Sequence, residues 1–149
     1  MGVKPSDEDG QASWHVPFVP GILEARAGAC RYTLATPGKP VQLRVKQVAK
    51  PVWREGSAVL QYEVLLADEH DVPAVGMDER IHVQLVGQAR LLGIENGKPD
   101  DLTPYAESWR ETYQGRALIV VRVQRSKLPV QLWVWTESGL SVWLQPVTD

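Results

Sequence analysis

Leu60-Gln61-Tyr62-Glu63-Val64-Leu65-Leu66 sets Leu60, Tyr62, Val64 and Leu66 two residues apart, with Gln61 and Glu63 between them. Successive side chains of a strand point to opposite faces, so this spacing predicts a half-buried strand with one apolar and one polar side. The pattern recurs along the chain. Val41-Gln42-Leu43-Arg44-Val45 alternates strictly, and Ile81, Val83 and Leu85 share a face that leaves His82 and Gln84 opposite. Ala117-Leu118-Ile119-Val120-Val121-Arg122-Val123 is apolar almost throughout, which suggests a central strand covered on both faces or one that crosses between environments. Gln131 to Thr136 and Leu140 to Val147 read as a closing pair through the turn Glu137-Ser138-Gly139. Gly21 to Ala27 and Arg31 to Ala35 flank Gly28-Ala29 as another short hairpin.

Only Thr103 to Tyr113 competes as a helix, but Pro104 opens it and its apolar positions hold no helical stripe, so it reads as a long loop. About eight short strands without alternating helices predict an all-β fold, an antiparallel immunoglobulin-like β-sandwich. Residues 1–13 are polar, acidic and small, the composition of a flexible tail or linker.

Composition removes several classes of function. Lys and Arg total 16 against 18 Asp and Glu, and the basic residues are scattered. A nucleic-acid binder concentrates them to displace phosphate counterions, so no nucleic-acid partner is expected. No apolar run is long enough to span a bilayer and no signal-peptide pattern opens the chain, so no membrane partner is expected and the compartment stays open. The single Cys30 cannot form an intramolecular disulfide and is expected to be a buried thiol.

Searches for reaction chemistry return little. The sequence has no G-x-S-x-G elbow, Walker-type lysine loop, H-E-x-x-H or C-x-x-C. His15, His70 and His82 lie far apart, and Asp68-Glu69-His70-Asp71, the one cluster of potential metal ligands, reads better as a solvated hairpin turn. Glu95, Asp100 and Asp101 could be imagined as a carboxylate pair for glycoside hydrolysis, yet acids in a Gly and Pro loop usually form solvated turns. No catalytic residue, metal or cofactor is therefore expected.

Tryptophan is the unusual feature. Of six in the chain, Trp133, Trp135 and Trp143 fall in the closing hairpin, where all three can share one face as a flat aromatic surface. Leu132, Val134, Val142 and Leu144 alternate with them and suit the core. The rings either fill the sandwich core or pack against a neighbouring domain, the more ordinary roles for indoles, or they face outward to a sugar; in the last case, with Gln131 and Gln145 supplying amides, the carbohydrate-binding set is Trp133, Trp135, Trp143, Gln131 and Gln145.

Leu91-Leu92-Gly93-Ile94-Glu95-Asn96-Gly97-Lys98-Pro99 resembles a turn signature of the C-terminal sandwich domains of family 2 glycoside hydrolases. Asn-Gly tolerates positive φ and so makes a tight turn on physical grounds alone. Tyr62 to Asp68, Val72-Pro73-Ala74, Arg110 with Tyr113 to Leu118, and Ser138-Gly139-Leu140 resemble further segments of that family in the same order. Trp14-His15-Val16-Pro17-Phe18-Val19-Pro20-Gly21-Ile22-Leu23-Glu24-Ala25 is similar to the segment that ends its preceding immunoglobulin-like domain. Lys98, where the family often has an acid, and the Asp68 to Asp71 turn, without the usual Asp-Gly, depart from the pattern.

The resemblance implies that residues 14–38 are the terminal strands of a preceding immunoglobulin-like domain, or added strands of the sandwich, and that residues 39–149 form the C-terminal sandwich. It also implies a non-catalytic accessory domain of a β-galactosidase-type enzyme. Its partners would be the parent's catalytic and other domains, with galactosides or polysaccharide as the ligands an aromatic platform allows. The family's catalytic glutamates sit on a (β/α)8 barrel, which needs about 250 residues, so none carries over to this chain.

Overall fold

The computed structural model describes residues 2–126 and 129–145. The expected end of the last strand, 146–147, lies outside the described residues. The chain divides into two compact units, with the boundary between Thr36 and Pro37.

In the first unit, β1 (Ile22–Ala27) and β2 (Cys30–Ala35) form a two-stranded antiparallel sheet of their own. Gly28 takes a φ of 57° at the first of the two loop positions, a backbone state that favours glycine. The register pairs Leu23 with Leu34 and Ala25 with Tyr32 on one face. Glu24 lies on the other face, where it pairs with Arg26 and Arg31. Cys30 is exposed on the apolar face of this hairpin, not buried as expected. A lone two-stranded sheet has no second layer to cover a thiol.

The second unit is a sandwich of two four-stranded antiparallel sheets. One has the order β3 (Gln42–Gln47), β4 (Ser57–Ala67), β8 (Arg116–Gln124), β6 (Ala89–Glu95). The other runs β10 (Ser141–Leu144), β9 (Gln131–Thr136), β5 (Arg80–Val86), β7 (Trp109–Glu111). Leu60, Tyr62 and Val64 of β4 and Ile119, Val121 and Val123 of β8 meet Ile81 and Val83 of β5 and Leu132 and Val134 of β9 in one core. The alternation read from Leu60 to Leu66 therefore holds, with Gln61 and Glu63 exposed.

One reading is narrowed and another changes. The β8 run is central in its sheet, but Leu118 and Val120 on its outer face are only half-buried, so one face alone is fully covered. The stretch read as a loop from Thr103 to Tyr113 contains β7, which is too short for periodicity to reveal.

Polar locks hold the loop leading into β7. Arg110 points inward at 2% exposure, where its guanidinium donates to Asp101 Oδ2 at 2.9 Å and to the Thr103 carbonyl at 2.6 Å. Asn96 donates to Asp101 Oδ2 at 2.7 Å and to the Glu111 carbonyl at 2.9 Å, and accepts from Lys98 N–H. Only Gly97 of the Asn-Gly pair has positive φ, so Asn96 serves through its buried amide and not through its backbone. The Thr103 hydroxyl and N–H, followed by Asn96 and Arg110, hold the Asp101 carboxyl well below the usual carboxylate range.

Gly115 and Gly97 share nearly the same backbone, with φ of 72° and 74°, but a Cβ on Gly115 would meet the Ala74 carbonyl oxygen at 2.9 Å while one on Gly97 would meet open space. Gly97→Ala should cost about 1–2 kcal/mol for the left-handed conformation. Gly115→Ala should exceed it by roughly 1–3 kcal/mol of overpacking, read from urea midpoints at constant m.

Asp101→Asn strands a buried guanidinium and should destabilise by about 3 kcal/mol. Asp100, whose side chain is 80% exposed, should tolerate the same change to within about 0.5 kcal/mol. Because the folded-state pKa of Asp101 is depressed, its contribution is present above the unfolded value of about 3.9 and is lost as pH falls below it. Acid unfolding of Asp101→Asn should accordingly show a weaker pH dependence below about pH 4 than the parent chain.

Candidate functional site

β9 reads Gln131-Leu132-Trp133-Val134-Trp135-Thr136, and every second residue is buried, beginning with Leu132. Because the core takes Leu132 and Val134, strand geometry turns Gln131, Trp133 and Trp135 outward. On the neighbouring edge strand, Val142 and Leu144 pack against the core and Trp143 faces out, directly opposite Trp133. On the other side of β9, β5 pairs His82 with Trp135 and Gln84 with Trp133. The outer face of this sheet thus gathers Trp143, Trp133, Trp135, His82 and, through the pairing of His82 with Trp109 on β7, a further indole.

The rings do not lie side by side as a flat surface. His82 and Trp135 stack at a centroid separation of 5.2 Å, Trp135 and Trp133 at 4.2 Å, and Trp133 and Trp143 at 5.1 Å with planes only 3° apart. Offset stacking suits the ring quadrupoles, and close cross-strand spacing makes it available. Trp133 and Trp135 are each stacked by two neighbours and are half-buried, and the Trp133 indole N–H is buried without a hydrogen-bond partner among the described residues. Trp143 ends the stack with one ring neighbour among the described residues and is 55% exposed.

Beside Trp143 lies an open groove of about 300 Å³, lined by Gln131, Trp143, Leu144 and Gln145. The strand pairing ends with Leu144 opposite Leu132, and Gln145 and Gln131 are the next residues beyond that pair on the two chain segments. Three of the five expected binding residues, Trp143, Gln131 and Gln145, therefore line one feature, whereas Trp133 and Trp135 lie behind it in the stack.

The opposite end of the stack is charged. Arg80 pairs with Glu137 at 3.2 Å and lies 4.4 Å over the Trp109 ring, while His82 Nε2 approaches Glu137 at 3.7 Å. Sequence reading placed His82 on the outer side of β5, but the step from there to the ring of Trp135 needed the strand order. Trp109, hidden in an unrecognised strand, had no local signal.

Several of the remaining candidates hold loops in place, while Asp100, Glu69 and His70 are exposed. Asp101 is committed to Arg110 and Asn96, and Glu95 accepts the Gly97 N–H at 2.7 Å. Asp68 accepts N–H donation from Gly38, His70 and Val72, and these bonds, Gly38 foremost, hold its carboxyl below the usual range. Among the described residues, no group of three or more His, Cys, Asp or Glu side chains could hold a metal ion.

A sequence profile described as "Glycoside hydrolase family 2 C-terminal domain 5" matches residues 38–141. A curated relative, the beta-galactosidase BoGH2A of Bacteroides ovatus, is 24% identical over 128 residues, which are 82% of this chain and 15% of that protein. The chain therefore spans about 15% of the length of this relative. Among solved structures, a glycosyl hydrolase family 2 member from Bacteroides cellulosilyticus superposes with a TM-score of 0.87 at 20% identity, covering 98% of this chain and 21% of that one. A beta-glycosidase from Bacteroides vulgatus gives 0.81 at 22% identity, covering 97% and 19%. The two structures share the fold of this chain, and the profile match over residues 38–141, most of its length, places it in a family: the chain belongs to the glycoside hydrolase family 2 C-terminal domain 5 family.

Proposed function

We propose that this chain is a non-catalytic accessory domain of a β-galactosidase-type family 2 glycoside hydrolase, which supports the catalytic body of its parent and helps shape access to substrate. The observation that carries the reading is the β1–β2 hairpin. Its face of Leu23, Ala25, Ala27, Cys30, Tyr32 and Leu34 is apolar by composition, yet each of these residues is exposed, with Tyr32 at 67% and Leu34 at 52%. A two-stranded sheet becomes stable when such a face is covered. Residues 14–38 fit this requirement as strands that complete a preceding immunoglobulin-like domain of the same polypeptide. The family match and the small share of the β-galactosidase relative that the chain spans support the same reading.

The groove beside Trp143 favours a second role, contact with carbohydrate, since it joins an exposed indole to two amides.

The purified chain should release no product from aryl β-galactosides above a protein-free blank, and saturable hydrolysis would overturn the accessory reading. Tyr32→Ser with Leu34→Ser should reduce binding of an apolar dye and self-association of the chain, with the urea midpoint of the sandwich unchanged. Undiminished dye binding would show that this face is not the one awaiting a partner.

A further inference from the structure

We infer that the groove between the ends of β9 and β10 binds one uncharged pyranose unit of a glycan, with the ring of Trp143 beneath the sugar and the amides of Gln131 and Gln145 on its hydroxyls. The inference deepens the carbohydrate role above and does not depend on how the domain docks.

Three features define the ligand. Trp143 has only Trp133 as a ring neighbour among the described residues, and it stands exposed at the edge of the sheet, so its remaining surface suits the C–H face of a sugar. The near-parallel Trp133 ring behind it holds that surface in one orientation before any ligand arrives, which lowers the ordering cost of binding. Each glutamine offers both donors and an acceptor, matching a hydroxyl that is itself donor and acceptor.

Charge sets the selectivity. The described residues that line the groove are two amides, an indole and a leucine, none of them a cation, while the charged groups Arg80, His82 and Glu137 surround the far end of the stack. A carboxylate-bearing sugar would give up hydration in the groove and find no countercharge among the described residues that line it. A volume of about 300 Å³ lies at the small end of ligand sites, which suits one ring and part of the next.

The test uses the full chain, followed by tryptophan fluorescence and calorimetry, with lactose, cellotetraose and trigalacturonate as probes. At least one neutral sugar should bind saturably in the millimolar range or tighter, and trigalacturonate at least tenfold more weakly. Trp143→Ala should weaken the neutral sugar at least tenfold, Trp143→Tyr should keep it within about threefold, and Gln131→Ala with Gln145→Ala should weaken it about tenfold. Unchanged urea midpoints would show that these positions act on binding and not on folding. The inference is overturned if neither neutral sugar binds, if binding survives Trp143→Ala, or if the acidic probe binds equally well. None of these outcomes touches the accessory reading, which hydrolysis by the chain would overturn.

Discussion

Burial of the inner faces of β4 and β8 against those of β5 and β9 is the constraint on which the rest of the sandwich depends. Leu60, Tyr62, Val64, Ile119, Val121, Ile81, Leu132 and Val134 are at most 1% exposed, and each commits its sequence neighbours to the opposite face. A slip of one residue would exchange the two sets, placing Trp133 and Trp135 in the core and Leu132 and Val134 in water. The aromatic stack is thus a consequence of the core: four apolar residues from β9 and β10 go in, and the indoles between them come out.

The fold complements this apolar core with polar locks where strands give way to loops. Arg110 fixes the start of β7 through Asp101 and Thr103, Asn96 ties the turn after β6 to Glu111, and Asp68 gathers three N–H groups at the end of β4. A carboxylate that accepts several N–H bonds stays ionised and satisfies donors that the sheets leave unpaired. Of the acids that invite a catalytic interpretation in the sequence, Asp101 is in this way taken up by the architecture, whereas Asp100 stays exposed.

Along the outer face, the stack joins two chemically different ends. At one, His82, Arg80, Glu137 and Trp109 form a charged cluster; at the other, Trp143 with Gln131 and Gln145 borders an uncharged groove. The half-buried Trp133 and Trp135 connect them as packing. The hairpin of the first unit presents a different kind of surface, an exposed face of apolar side chains.

Periodicity alone determined the strand class of this protein, the inward sets of β4 and β5, and that Trp133, Trp135 and Trp143 share one face, because the two-residue repeat of a strand is a local property of the backbone. Which face of the largely apolar β8 and β9 runs goes inward was decided by the packing of the two sheets. Periodicity could not show that His82 meets Trp135, that Trp109 belongs to the same face, or that the rings stack and leave only Trp143 open, since these depend on the order β10-β9-β5-β7, which joins residues distant in sequence. The inward turn of Arg110 was equally hidden: arginine is ordinarily exposed, and only the assembled loop supplies the carboxylate and carbonyl that make its burial tolerable. Local geometry decided which side chains share a face, and sheet packing and strand pairing decided what that face meets.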